Sequence, residues 1–166
     1  ELCMEIKTSY KSLLGESDRT YILNKFIASV PYITYLGIRF FTLERSIIAT
    51  LPFRENFLGN QSLRALHGGV TASFLEITAA VCLCFRTDQN LCRVSKSDSD
   101  GLDNKLPKTI DFSIDYLRAG EAIDAFCIAK VNRVGRRYAS LNVEAWQADP
   151  DKPFAQATGH FLMPVK

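Results

Sequence analysis

The apolar positions of this chain follow a helical spacing at the start, then a strand spacing, then an unbroken apolar block, then strand spacing again to the end. In residues 1–30, Leu2, Ile6, Leu13 and Leu14 form a rough stripe broken at Gly15. Ser17 or Asp18 caps a second helix carrying Tyr21, Ile22, Phe26 and Ile27, which stops at Pro31. From residue 38 to 53 β-branched and aromatic residues rise, and Phe41, Leu43, Ile47, Ala49 and Leu51 mostly alternate with polar neighbours, predicting one long strand or two short ones. Residues 54–66 read as a polar loop, and the apolar block from Val70 to Phe85 as a helix by its length and alanine content.

Residues 86–108 are polar and read as a mobile loop. Its S-D-S-D-G run is no calcium loop, because the first ligand position would be Lys96 and the twelfth, where a Glu is required, is Pro107. Strands follow. Ile110, Phe112, Ile114 and Tyr116 alternate with Thr109, Asp111, Ser113 and Asp115; a strand spans 122–134; Ala139, Leu141, Val143 and Ala145 alternate with Ser140, Asn142, Glu144 and Trp146; another strand spans 154–165. The D-P-D-K-P turn at 149–153 makes the last two a hairpin. Helices first, one central apolar helix, then a run of antiparallel strands predict an α+β domain whose sheet wraps the apolar helix.

Composition narrows the class without changing this picture. At 166 residues the length predicts one domain, or a domain plus a short appendage, and 47% apolar with 23% charged residues is ordinary for a globular protein. Twenty basic residues against 18 acidic leave a net charge of +2, which gives no footprint for nucleic acid. The five cysteines (Cys3, Cys82, Cys84, Cys92, Cys127) form no C-x-x-C pair, and the two histidines, His67 and His160, lie far apart, so no metal-ligand spacing exists. Unpaired thiols in apolar runs fit a reducing compartment. With no basic segment leading into an apolar core near the start, a cytoplasmic location is expected.

One residue carries the chemical question. Between Ala65 and Phe85 the only formal charge is Glu76. Val70, Phe74, Leu75, Ile77, Val81, Leu83 and Phe85 cover every face of a helical wheel, which predicts a helix buried all round and too short to span a bilayer. An ionised carboxylate there is costly unless it is paired, solvated through a cleft or protonated. The small neighbours Ala72, Ser73, Ala79 and Ala80 leave a hollow beside it for water or a ligand. A purely structural Glu, bonded to backbone or to an arginine from elsewhere, is the competing reading. Where the polar loop becomes this helix stands Leu66-His67-Gly68-Gly69. Backbone N–H groups at a helix start suit an anion or a polarised carbonyl oxygen, and glycine permits close approach. Gly68 and Glu76 are eight residues apart, about 12 Å of helix rise. An N–H donor and a carboxylate can thus address one extended group from the same side.

These residues, H-G-G-V-T-A-S-F-L-E-I-T-A-A followed by T-I-D-F-S-I-D-Y-L-R-A-G, resemble the hot-dog-fold acyl-CoA thioesterases. The nearest branch is the phenylacetic-acid-pathway type, including the 4-hydroxybenzoyl-CoA thioesterase with a catalytic Glu. In that family an H-G-G is followed, nine residues after the His, by Asp or Glu, as Glu76 follows His67 here. An Asn or Gln commonly stands six residues before the His, here Gln61. A T/S-x-D strand ending Y-L-R and a later G-R-R at Gly135–Arg137 extend the resemblance over about residues 31–165.

The resemblance implies a single hot-dog domain over 31–166 with an N-terminal helical extension over 1–30. It also implies a five- to six-stranded antiparallel sheet around helix 68–85, and an obligate dimer or dimer of dimers with sites between subunits. Hydrolysis of an acyl-CoA or aryl-CoA to a free acid and CoA follows, with no cofactor and no membrane or nucleic-acid partner. Gly68 N–H would polarise the thioester carbonyl, Glu76 would act as nucleophile or general base, Gln61 would hold the carbonyl or the water, and His67 would orient the loop. Gly69, Arg118, Arg136 and Arg137 would meet the substrate and its CoA phosphates, the arginines being otherwise plain solvated charges. The family often places a Ser or Thr four or about eighteen residues beyond the carboxylate; those positions here are Ala80 and Val94, neither a donor.

Other readings are weaker. A dehydratase needs a His paired with the helical carboxylate, and His67 lies on the same side of the loop nine residues away. A non-catalytic acyl-CoA sensor would have no use for Glu76. G-x-S-x-G, G-x-G-x-x-G and P-loop patterns are absent. Cys82 and Cys84 lack an activating base, and His160 reads as a satisfied structural histidine in the last strand.

Overall fold

The computed structural model describes residue 23 and residues 27–43, 46–85 and 107–163. Most of the predicted N-terminal extension and the 86–106 part of the polar loop, with Cys3 and Cys92, lie outside the described residues.

Residues 27–29 are helical, Val30 is extended, and a short helix α1 then runs over Pro31–Leu36. Pro31 therefore begins a helix as well as ending one. At the first helical position its missing N–H is one that has no intrahelical partner in any case. Gly37, at φ 70°, closes α1 by donating to the carbonyls of Ile33 and Thr34. Ile33 and Leu36 are buried in the core, which turns Tyr32 and Tyr35 outward.

Strands β1 (Arg39–Leu43) and β2 (Ser46–Leu51) form an antiparallel hairpin, the two-strand version of the expected segment. The stretch read as a plain polar loop is more ordered than that. A 3₁₀ turn at Glu55–Phe57 buries Phe57, and β3 (Leu58–Asn60) pairs with β4 (Ala65–Leu66). Its strands are too short to show a period, so composition alone favoured a loop there. The ribbon leads into helix α2, Gly68–Cys84, and His67 N–H donates to Phe57 C=O at 2.8 Å.

After α2 come β5 (Lys108–Tyr116), β6 (Ala125–Val134), β7 (Tyr138–Trp146) and β8 (Ala155–Leu162). The six-stranded sheet has the order β1-β2-β6-β7-β8-β5, every pairing antiparallel. The β7–β8 turn is held by Asp149, which accepts from Asp151 N–H and pairs with Lys152. Those two contacts, the N–H first, hold its carboxyl below the usual carboxylate range.

Helix α2 lies across one face of this sheet. Phe74, Leu75, Ala79 and Leu83 meet a floor of Ala125, Cys127, Ala139, Leu141, Val143, Ala145, Ala155 and Phe161, all fully buried. Alanines at alternate strand positions let the helix backbone come close, where larger side chains would overpack. Cys82, Cys84 and Cys127 are buried thiols that form no disulfide among the described residues, and burial pushes the Cys127 thiol far above its ordinary value, so it is an inert space-filler.

The expectation of a helix buried on all sides fails. Gly69, Ala72, Ser73, Glu76 and Ala80, spaced three and four apart, form one exposed to half-buried stripe, while Ala79 faces the core. The sheet and α1 do not enclose the whole circumference, and the uncovered side is the one carrying the smallest residues and the carboxylate.

Candidate active site

The first turn of α2 is held from three directions. His67 is the N-cap, and its Nδ1 accepts the Gly69 N–H at 2.9 Å. Val70 and Thr71 N–H both donate to His67 C=O. Tyr116, at the end of β5, donates its hydroxyl to Gly68 C=O at 2.9 Å, and its ring lies 3.4 Å from where a Gly68 Cβ would stand. Ser73 Oγ donates to Gly69 C=O at 2.9 Å. Behind the turn, Gly59 lets the ribbon press on His67, since a Cβ there would lie 2.7 Å from His67 Cα. Among the described residues this network leaves a single N–H of the first turn without an acceptor, that of Gly68. A helix start offers a partial positive charge to whatever oxygen takes that place.

Glu76 sits two turns further on, half-buried on the open stripe. Thr109 Oγ1, from the start of β5, donates to its Oε1 at 2.7 Å. This hydroxyl stands 33 residues beyond the carboxylate instead of about eighteen, because the long 86–108 segment separates α2 from β5. The T-I-D motif was the available signal, just as Y-L-R carried Tyr116. With one oxygen fixed by Thr109, the second is left to face water or a substrate across the stripe.

The remaining expected residues lie further out. Gln61 opens the exposed turn between β3 and β4, and among the described residues no hydrogen bond joins it to Gly68 or Glu76. The Arg118 guanidinium donates to the backbone carbonyls of Lys152 and Pro153, tying the segment after β5 to the β7–β8 turn. Arg136 and Arg137 are exposed in the β6–β7 turn. His160 pairs its Nδ1 with Asp111 at 3.2 Å and stacks on Tyr138, on the sheet face away from α2. Among the described residues no group of three or more His, Cys, Asp or Glu side chains is placed to hold a metal. None of their helices is long and apolar enough to cross a membrane.

A helix gripped by a wrapped antiparallel sheet, presenting one free N–H and one carboxylate on its open side, is the frame of a hot-dog thioester hydrolase. The family model of the thioesterase superfamily matches residues 64–154, more than half of the chain, and the chain belongs to that superfamily. It is 31% identical over 156 residues to the medium/long-chain acyl-CoA thioesterase YigI of Salmonella typhimurium, covering 91% of this chain and 97% of that protein. Among solved structures, a Chromobacterium violaceum protein is 30% identical with a TM-score of 0.63, covering 86% of this chain and 90% of the other. A phenylacetic acid degradation-related protein of Ralstonia eutropha JMP134 shares the fold, with a TM-score of 0.62 at 20% identity over 81% of this chain and 91% of the other.

Proposed function

We propose that this thioesterase hydrolyses fatty acyl-CoA thioesters of medium and long chain, with Glu76 as the reacting carboxylate and Gly68 N–H as the oxyanion donor. The observation that carries the reading is that one open helix face presents both an N–H without a partner and, two turns on, a carboxylate gripped by Thr109, so that each of two subunits can offer one of them to the other's site. The chain length follows the activity of the YigI relatives.

With the thioester carbonyl oxygen at Gly68 N–H, water attacks the carbonyl carbon while Glu76 takes its proton, and the oxyanion forms against the helix start. Collapse breaks the C–S bond, and the thiolate of CoA leaves with the proton returned by Glu76. If Glu76 attacks directly, the C–S bond breaks as a mixed anhydride forms, the CoA thiolate leaves and takes a proton from water, and a second water cleaves the anhydride to the free acid and Glu76. Neither route calls for a cofactor. His67 holds the loop, Gln61 steadies the carbonyl or the water, and Gly69 lets the substrate lie close to the backbone. Arg136, Arg137 and the free donors of Arg118 meet the CoA phosphates. The working unit is a homodimer or a dimer of dimers, in which Glu76 of one subunit meets a carbonyl held by Gly68 of the other, in the cytoplasm.

Glu76→Gln keeps the shape and removes the base. The kcat for palmitoyl-CoA should fall at least about 10²-fold with the fold intact. Hydrolysis at the wild-type rate by the Gln variant would overturn the assignment. Label in the Glu76 carboxylate after a single turnover in ¹⁸O-water would identify direct attack followed by water entering at the Glu76 carbonyl carbon.

A further inference from the structure

The open stripe of α2 has two flanks. One is β5, which supplies Thr109 and Tyr116. The other is α1, and its contact is Tyr32, whose hydroxyl lies 3.1 Å from Ser73 Oγ. Ser73 has one proton, and that proton is committed to the Gly69 carbonyl, which can only accept. Tyr32 must therefore be the donor in its bond to Ser73. The tip of the ring is pinned to the floor of the groove one turn before Glu76, and the ring stands as a side wall.

This placement is over-determined by the short helix that carries it. Ile33 and Leu36 anchor α1 in the core, and Arg54 Nη1 donates to Tyr35 C=O at 2.6 Å. Tyr32 and Tyr35 stack with centroids 6.3 Å apart and planes at 12°, yet remain 49% and 58% exposed. The helix Pro31–Leu36 has no charged residue. A pair of half-exposed rings on an uncharged helix, hydrogen-bonded to the reacting face, offers apolar contact to a hydrocarbon, and the neighbouring Arg54 guanidinium is engaged by the Tyr35 carbonyl.

We propose that Tyr32 is a specificity-determining residue of this site, the wall against which the distal part of the acyl chain packs. The inference rests on the assignment of Glu76 and Gly68 and adds the direction in which the acyl group runs: along the α2 stripe toward α1. A short acyl group ends beside Glu76 and does not reach the ring. A long one must pass Tyr32, with Tyr35 behind it.

The test is a series of saturated substrates from butyryl-CoA to palmitoyl-CoA, with kcat/KM read from free thiol, on wild type, Tyr32→Ala, Tyr32→Phe and Tyr32→Leu. Tyr32→Ala should lower kcat/KM for the long substrates by about tenfold or more, the worth of one or more methylene contacts, and leave butyryl-CoA nearly unchanged. Tyr32→Phe keeps the ring face and should retain the wild-type profile, while Tyr32→Leu should fall between. Losses equal at every chain length, no loss, or a gain with long chains would overturn the inference while the thioesterase reading stands. A wild-type protein that cleaves no member of the series would remove both.

Discussion

Thr109 Oγ1 donates a hydrogen bond to Glu76 Oε1 at 2.7 Å, joining the start of β5 to the middle of α2 across more than twenty intervening residues. A break in strand register makes it possible. Thr109 stands opposite Phe161 and Asp111 opposite His160, so Ile110 is an extra residue in β5. Phe161 points into the core, and Thr109 therefore points the same way, toward α2. An unbroken register would have set Ile110 opposite Phe161 and turned Thr109 to the far face of the sheet.

If Thr109 holds the carboxylate for reaction, Thr109→Val should lower kcat about 10- to 100-fold. A hydrogen bond to a charged group contributes about 1.5–3 kcal/mol, and each 1.36 kcal/mol is a factor of ten. KM should change little, and Thr109→Ser should restore most of the rate. An unchanged kcat in the Val variant would make the bond purely structural.

If Gly68 N–H is the oxyanion donor, Tyr116 supports it through the Gly68 carbonyl. Tyr116→Phe removes one neutral hydrogen bond, about 0.5–1.5 kcal/mol, and should reduce kcat up to about tenfold with only a small drop in thermal stability. Gly68→Ala tests the same turn from the other side. Its added Cβ would meet the Tyr116 ring at 3.4 Å, an ordinary contact, so the variant should fold. Its methyl group would stand beside the one free N–H, and activity should fall well out of proportion to stability.

If the arginines meet the CoA phosphates, their contacts are remote from the bond being broken, and Arg136→Ala and Arg137→Ala should raise KM for acyl-CoA and leave kcat nearly unchanged. The same variants should cleave a thioester lacking the nucleotide as well as wild type does. Arg118 also ties two loops through backbone carbonyls, so Arg118→Ala should add a measurable loss of thermal stability. Equal kinetic losses on the two substrates would place the phosphate contact elsewhere.

Oligomeric state gives an independent check. Among the described residues β5 pairs only with β8, so its other edge presents unpaired backbone groups beside the Thr109–Glu76 contact. Sedimentation at micromolar concentration should show two or four copies of the 18.6 kDa chain. A monomer with full activity would refute a site shared between subunits.

Much of this molecule was legible in its sequence because burial has a period. Alternation across β7 and β8 is the direct result of one face meeting α2, and the D-P-D-K-P turn needs no distant contact to form. The lone carboxylate in an apolar helix and the His-Gly-Gly at its start likewise declare themselves by local chemistry, since few other places tolerate them. What the tertiary structure decided depends on residues far apart in the chain. The uncovered side of α2 is set by where the sheet and α1 stop, which the apolar wheel does not record, because alanine and glycine look the same whether they face a core or a groove. The inward turn of Thr109 is set by the pairing of β5 with β8, where one extra residue exchanges the two faces without altering a single side chain. Tyr32 reaches Ser73 only because Pro31 starts a helix whose other face is anchored by Ile33 and Leu36. Periodicity reports that a residue is buried or exposed, while the partner it meets is chosen by register and packing.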